Sequence, residues 1–223
     1  MTGRERTKAW RHRSSPSKTA LKGRANNKMI RLFTALCKTL LEKSTDYEIF
    51  CEATDNFSPY AKLCPRCGTA GKLSPYGVYG RSLVSYEDKS VIDRRVYPKR
   101  FECLACGATH ALLPDILTPN SPYSLRFKLI ALITYFERKE TVAAICGRFC
   151  IAVSTLYEWK KRLISHKELL LGALTGCKDP ALSFLTGLLG SDCLSNSLCV
   201  FFHKHAFSFL EASPKSATRN RPP

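Results

Sequence analysis

The apolar positions divide the chain into segments of different periodicity. From Met29 onward, apolar side chains recur with helical spacing and predict a helix within residues 29–61, at Ile30, Phe33, Leu36, Cys37, Leu40 and Leu41. Residues 1–28 are rich in Arg, Lys, Ser and Asn and have almost no apolar periodicity, so we expect a disordered basic arm. Because the first amphipathic pattern begins at Met29, translation from Met29 rather than Met1 is left open.

Short strand-like runs follow between Cys64 and Pro114, with Pro and Gly between them. The runs YGVYGRSLVS and SVIDRRVYPKRFEC predict a small β unit over residues 62–120, with a two-strand excursion that turns near Tyr86 to Ser90. From Ser121 the spacing becomes helical again.

Two cysteine pairs lie in this β unit, and 35 residues separate them. Two residues between cysteines allow a tight turn to direct both sulfurs at one ion, and the glycine after each pair tolerates a positive φ. Zn²⁺ accepts four thiolates in a tetrahedron, and four protein ligands leave no position for a reacting water. The sequence therefore predicts a structural zinc ribbon with the ligands Cys64, Cys67, Cys103 and Cys106. Removal of the zinc should unfold residues 62–114.

The alternatives for these cysteines are a redox CxxC motif or unrelated structural roles. A redox site needs one pair only and usually begins a helix in a βαβ unit, which the strand-like surroundings do not resemble. His110, four residues after Cys106, is expected to be a strand residue beside the zinc site rather than a ligand, and Cys51 a buried hydrophobe.

A helix-turn-helix is predicted between residues 121 and 168. Small residues at Ala144 and Cys146 suit a close helix crossing, and apolar residues supply its core at Ile145, Phe149, Ile151, Leu156 and Trp159. We expect a support helix over Ser124–Glu137, a turn over Cys150–Val153 and a recognition helix over Ser154–Ile164. Cys146 and Cys150 are expected in the core.

On this model the exposed face of the recognition helix would bind DNA. Its early residues would meet base edges and its later lysines would meet phosphates. The predicted DNA-binding residues are Ser154, Thr155, Tyr157, Glu158, Lys160 and Lys161. Any helical hairpin buries a similar core, so a hairpin without DNA-reading function stays an alternative.

These segments predict an α+β fold that is mostly helical. The small β zinc ribbon would be followed by a helix-turn-helix bundle and, over residues 169–223, by a helical C-terminal extension with a disordered tail.

The charge favours a polyanionic partner. The chain has 35 Lys and Arg against 18 Asp and Glu, a formal net charge of +17, so nucleic acid is the leading partner class and an anionic membrane surface the second. No apolar h-region follows the basic start, and no stretch suits a transmembrane helix. We expect a cytoplasmic, nucleoid-associated protein with reduced thiols among its 11 cysteines.

Several motifs together resemble a bacterial family of transposase-like proteins of otherwise unknown function, with a zinc ribbon and a helix-turn-helix. These motifs, CPRCG, YGVYGR, RRVYPKRFECLACGATHALLP, PYSLRFKLIALITYF and STLYEWKKR, cover roughly residues 60–165, and THALLP is the most specific. The resemblance implies DNA binding associated with a mobile element, with the four cysteines as zinc ligands and Ser154 to Lys161 in the recognition helix.

A full transposase would also need an RNase H-like domain with three carboxylates that hold two metal ions. The acids after the helical segment are only Glu168, Asp179, Asp192 and Glu211, in too short a stretch for that domain. We therefore expect a non-catalytic DNA-binding protein, with DNA and a transposase or recombinase subunit as partners and homodimerisation left open. A zinc-dependent protein-interaction module or a non-catalytic transcriptional regulator is the alternative, and a nuclease or recombinase fragment is a third.

Overall fold

The computed structural model describes residues 29–171 and 181–211. The predicted basic arm (residues 1–28) and parts of the predicted C-terminal extension (residues 172–180 and 212–223) lie outside the described residues. The strands are β1 (Met29–Leu32), β2 (Leu73–Val78), β3 (Arg81–Glu87), β4 (Ser90–Val96), β5 (Lys99–Cys103) and β6 (Thr109–Pro114). The helices are α1 (Lys38–Lys43), α2 (Asp46–Asp55), α3 (Leu125–Glu137), α4 (Val142–Phe149), α5 (Val153–Leu171), α6 (Ala181–Leu189) and α7 (Leu194–His205), and a single 3-10 turn spans Pro59–Ala61.

The strands form two sheets. The larger sheet has the order β1-β6-β5-β2, in which β1 runs parallel to β6 and the other neighbours are antiparallel. The smaller sheet is the β3–β4 hairpin, whose two loop residues Asp88 and Lys89 have φ of 47° and 62°. A two-residue hairpin turn of this kind needs positive φ at both positions. The predicted excursion that turns near Tyr86 to Ser90 is confirmed.

The predicted fold class is wrong. The structure is mixed α/β, with helix in 45% and strand in 23% of the described residues, and not a mostly helical chain in which a ribbon precedes a helical bundle. Helices α1 and α2 precede the cysteine-rich strands, and β1 joins their sheet by pairing with β6. Pairing between strands that are so distant in sequence leaves no pattern in either segment alone. The sequence therefore predicted separate units that follow one another along the chain.

The helix predicted from Met29 is wrong at its start. Residues Met29–Leu32 form a parallel strand in which Ile30 is the partner of Leu112, and helix begins only at Lys38. Ala35, with φ of 44°, interrupts any continuous helix between them. Ile30 fits helical and alternating spacing equally well, and its burial in the sheet decides between them.

Two apolar clusters stabilise the fold. The small cluster lies beside the cysteines and contains Ile30, Cys64, Leu73, Phe101, Cys103 and Leu112. The main cluster combines residues of the β3–β4 hairpin with residues from every α-helix. Its centre is aromatic, with the Phe127 and Phe149 rings 5.5 Å apart and the Tyr123 and Trp159 rings 5.0 Å apart. This core holds α5 through Leu156, Trp159 and Leu163.

A buried ion pair attaches α2 to α3. The Arg126 Nε lies 2.7 Å from a carboxylate oxygen of Asp46, which is completely buried. Arg126 also donates to the carbonyl oxygens of Leu41 and Ser44 at the end of α1. Burial raises the pKa of Asp46, and Arg126 opposes that rise. One guanidinium therefore joins three helices.

Within the described ranges, each helix taken alone is too short or too polar to cross a membrane. Two pairs of helices have the required length and apolar content only when combined, and the helices in those pairs meet at bends of 101° and 114°.

Candidate metal centre and nucleic-acid interface

The four predicted metal ligands come together in the structure. The Sγ atoms of Cys64, Cys67, Cys103 and Cys106 all lie within 4.8 Å of one another. Cys64 and Cys106 sulfurs are 3.7 Å apart, as are those of Cys67 and Cys103. A tetrahedral ion with bonds of about 2.3 Å to sulfur requires sulfur separations of about 3.8 Å. The four thiols could therefore hold a metal ion.

The backbone explains why each pair converges. In the first turn the Cys64 N–H donates to Thr69 and the Gly68 N–H donates to Cys64, at 3.0 and 2.9 Å. The second turn repeats both bonds, from Cys103 N–H to Ala108 and from Gly107 N–H to Cys103, at 2.9 and 2.8 Å. Gly68 and Gly107 have φ of 75° and 65°, as the sequence predicted for the residue after each pair.

The thiols differ in their tendency to ionise. The Thr69 hydroxyl and backbone lower the pKa of the exposed Cys67 to about 6, whereas burial raises the pKa of Cys106 to about 12 and also raises that of Cys64. Metals bind thiolates, so loading this site releases protons.

His110 lies beside the cluster. It is a buried β6 residue, and its Nε2 is 3.3 Å from the Cys64 sulfur. It does not belong to the group of four convergent ligands, which fits its predicted place next to the site. A metal-bound thiolate only accepts hydrogen bonds, so Nε2 would carry the proton and donate to it.

The second candidate region is the pair of helices α4 and α5. The chain between them is only Cys150 to Ala152, and the helices are bent by 101°. A short turn and a steep angle are the geometry of a helix-turn-helix motif. The turn has no glycine, and Cys150 takes the left-handed conformation instead, with φ of 49°.

Hydroxyl caps begin the two helices that pack against α5. The Ser124 Oγ accepts the Phe127 N–H at the start of α3, and the Thr141 Oγ1 accepts the Ala144 N–H at the start of α4.

The observed α3 ends at Glu137, as predicted for the support helix, and α5 extends seven residues past the predicted end of the recognition helix, to Leu171.

Most predicted DNA-binding residues are exposed. Ser154, Tyr157, Glu158 and Lys161 are exposed on α5, and Thr155 is half-buried. Lys160 is also half-buried, and its Nζ donates to the Tyr135 hydroxyl at 2.8 Å and lies 5.7 Å from the Tyr157 ring centroid. Two tyrosines thus orient Lys160, whereas Lys161 projects into solvent.

The remaining cysteine predictions have mixed outcomes. Cys146 is buried in the main core as predicted, but Cys150 is exposed, because it occupies the left-handed end of α4. Cys51 is half-buried against that core.

Two buried basic groups, one on α3 and one on α5, were not predicted from the sequence. Lys128 on α3 is completely buried, and its Nζ lies 5.7 Å from the Trp159 ring centroid. Burial lowers its pKa to about 7, assisted by the charges of Arg162 and Arg81. The signal was present in the sequence, because Lys128 falls in helical phase with the buried Leu125 and Leu132.

The other group is His166 on α5. Its Nδ1 accepts the Leu210 N–H at 2.9 Å, and its ring contacts Phe201, Phe207 and Phe209. Burial lowers the pKa of His166 to about 4, so it stays neutral and able to accept at neutral pH. The hydrogen bond from Leu210 thus attaches the segment after α7 to α5.

Comparison with known proteins adds one match. Residues 64–165, less than half of the chain, match the model of a family described as Domain of unknown function (DUF6431). This range begins at Cys64, the first of the four convergent cysteines, and ends within α5, so it includes both candidate regions. No curated protein and no solved structure matches the chain. The family expected from the motifs, a transposase-like one, is not what these comparisons find.

Proposed function

We propose that this protein binds duplex DNA through the exposed face of α5, supported by a structural zinc ion. The observation that carries the proposal is the steep α4–α5 pair, which leaves Ser154, Tyr157 and Lys161 exposed on the first half of its second helix. In DNA-binding helix-turn-helix proteins that half-helix enters the major groove. The net charge of +17 favours the same partner, because it releases counterions from phosphates.

The metal in this proposal is zinc. Four thiolates in a tetrahedron are a soft, closed ligand set, which suits Zn²⁺ better than Mg²⁺ or Ca²⁺. Its role would be structural, because four protein ligands exclude a bound water. Quantifying the metal in purified protein tests this part: we expect about one zinc per chain, and no zinc in Cys103→Ser.

The contacts on α5 would divide by position. Ser154 at the start of the helix has a hydroxyl suited to base edges, and Lys161, two turns later, has a free ammonium suited to a phosphate. Lys160 would act differently, because its Nζ already donates to the Tyr135 hydroxyl and is held beside the Tyr157 ring.

The proposal includes no catalytic centre in this chain. From the resemblance of its motifs to transposase-like proteins, we propose a targeting subunit of a mobile element that acts with a separate recombinase. A nuclease assay with Mg²⁺ and Mn²⁺ tests it, and metal-dependent cleavage by purified protein would contradict it.

The binding experiment is fluorescence anisotropy across salt concentrations, after selection of bound sequences from random duplex DNA. We expect the affinity to fall steeply with salt, and Lys161→Ala to reduce the slope of log K against log salt by about 1. Ser154→Ala should relax the selected sequence at one position and leave the slope unchanged. The matched control is Lys204→Ala, an exposed lysine that lies on α7 and not on α5. Equal losses in Lys161→Ala and Lys204→Ala would reject a specific role for α5.

A second candidate function rests on a different property of α5. Val153, Tyr157 and Ile164 are 45%, 45% and 47% exposed and form an apolar stripe, which favours protein docking. On that view the chain is a zinc-dependent protein-interaction module. Recovery of a partner by the wild type after nuclease treatment, and its loss in Ile164→Ser, would favour this function over DNA binding.

A further inference from the structure

The two faces of the four-stranded sheet are covered differently. On one face, Ile30, Phe101 and Leu112 pack in the small core beside the cysteines. On the other face, Met29 and Leu113 at the β1–β6 end pack against the main core. Toward β5 and β2 this second face is less covered: Ser74, Arg100 and Glu102 are half-buried, and Tyr76 is 57% exposed.

A tyrosine and an arginine lie together on the less covered part of the sheet. Tyr76 is the extra residue of a β-bulge, between Pro75 and Gly77, and Gly77 is the partner of Arg100 on β5. The Arg100 guanidinium carbon lies 5.9 Å from the Tyr76 ring centroid, and Arg100 also donates to the Thr109 hydroxyl at 3.5 Å. The bulge therefore holds an exposed aromatic ring against an oriented cation.

The charge around this pair is positive. Residues 56–86 contain four Lys or Arg and no Asp or Glu, and three of the cations, Lys62, Arg66 and Lys72, are exposed. The short turn over Pro59–Ala61 packs against β2 and carries Tyr60, which is 77% exposed. The acidic residue nearest to Arg100 in β5 is Glu102, two residues later, and it is half-buried. An exposed tyrosine among cations that form no ion pair within the described ranges is the combination that binds single-stranded nucleotides.

We propose that this face, which we name the Tyr76–Arg100 platform (Tyr76, Arg100 and Lys72), binds a single nucleic-acid strand. A base would stack on the Tyr76 ring, and Arg100 and Lys72 would contact phosphates on either side. The ligand is single-stranded because a stacking ring can reach the face of a base only outside a duplex. The platform is separate from α5 and goes beyond duplex binding.

The test uses the full-length, zinc-loaded chain and a fluorescein-labelled oligo(dT) strand of about 15 nucleotides. We expect Tyr76→Ala to weaken binding about tenfold and Tyr76→Phe to keep it, because stacking needs the ring and not the hydroxyl. Arg100→Gln should also weaken binding and lower the salt slope by about 0.7. Measuring zinc content and circular dichroism confirms that each variant is folded; if Tyr76→Ala fails this check, Arg100→Gln decides.

The chain provides a matched control. Tyr47 on α2 is 40% exposed, and the Arg94 guanidinium carbon lies 5.8 Å from its ring centroid, but acidic side chains surround it on that helix. Tyr47→Ala should leave the affinity for oligo(dT) unchanged. Wild-type affinity in Tyr76→Ala, an equal loss in Tyr47→Ala, or an affinity independent of salt would each overturn the proposal.

Two further arms identify the strand and separate the two proposals. Oligo(rU) in place of oligo(dT) distinguishes RNA from DNA, and the Tyr76 dependence must accompany whichever strand binds more tightly. Lys161→Ala should weaken duplex binding and leave the single strand unaffected. If α5 fails as a duplex site, the Tyr76 dependence of strand binding still stands or falls by its own measurement.

Discussion

The buried amine of Lys128 should be destabilising at neutral pH, and replacing it should stabilise the protein. Lys128 is completely buried between α3 and Trp159, and its Nζ has no hydrogen-bond partner among the described residues. Burial, and then the charges of Arg162 and Arg81, lower its pKa from 10.5 to about 7, while Glu211 opposes the shift. The folded state therefore releases a proton that the unfolded chain keeps up to about pH 10.5.

The sign and the size follow from this difference. Between about pH 7 and 10.5 the unfolded chain binds more protons, so the free energy of unfolding rises with pH across that window. The difference between a pKa of 10.5 and one of about 7 corresponds to about 4 to 5 kcal/mol, which destabilises the folded state below pH 7 and is absent above pH 10.5. Lys128→Met, which keeps the volume and removes the amine, should therefore raise the free energy of unfolding by about 4 kcal/mol at pH 7.

The assay is urea unfolding of wild type and Lys128→Met at several pH values between about 6 and 9.5. The difference between the two proteins should shrink as pH rises, because only the wild type gains stability from proton release. Lys161→Met is the control, because it removes the amine of a lysine that is exposed to solvent. A Lys128→Met difference that is zero at pH 7, or constant across the series, would refute the reasoning.

Two other predictions concern stability. Cys103→Ser, or a strong chelator, should release the metal and unfold the small core, because metal ligation contributes on the order of 10 kcal/mol to such units. Circular dichroism and tyrosine fluorescence measure this unfolding, and an unchanged spectrum would count against the prediction. Arg126→Met should lower the free energy of unfolding by about 3 to 5 kcal/mol, because it leaves the buried Asp46 carboxylate without its cation. Urea unfolding tests the second change, with the exposed Arg148→Met as control, and the prediction fails if the two variants lose equal stability.

The sequence allowed the local features to be predicted and failed on the distant ones. The two CxxC turns, the β3–β4 hairpin and the helices α3 to α5 each depend on residues close together in the chain, such as Gly68, Gly107 and the Ser124 cap. The parallel pairing of β1 with β6 depends on contacts between Ile30 and Leu112, which leave no pattern in either segment alone. Lys128 was missed for another reason, since its helical phase predicted burial but its charge argued for exposure.

The structure also divides the segment 62–114 that the sequence presented as one zinc-dependent unit. Phe101 and Leu112 pack around the cysteines, but Leu83 and Val96 of the intervening hairpin pack in the main core. The Val84 N–H donates to Pro122 at 2.8 Å, and the Ser124 N–H donates back to Val84 at 2.9 Å, so the hairpin is bonded directly to the start of α3.

Loss of the metal should therefore release the two cysteine turns and the β2–β5 pair while the hairpin stays folded against α3. Hydrogen exchange would show this as lost protection at the Cys103 and Gly107 amides and retained protection at Val84 and Ser124. On this division, the Tyr76–Arg100 platform would depend on the proposed metal, because it stands on β2 and β5, whereas α5 is held by the main core. Chelation should consequently abolish single-strand binding before duplex binding, and simultaneous loss of both would show that the two cores unfold as one.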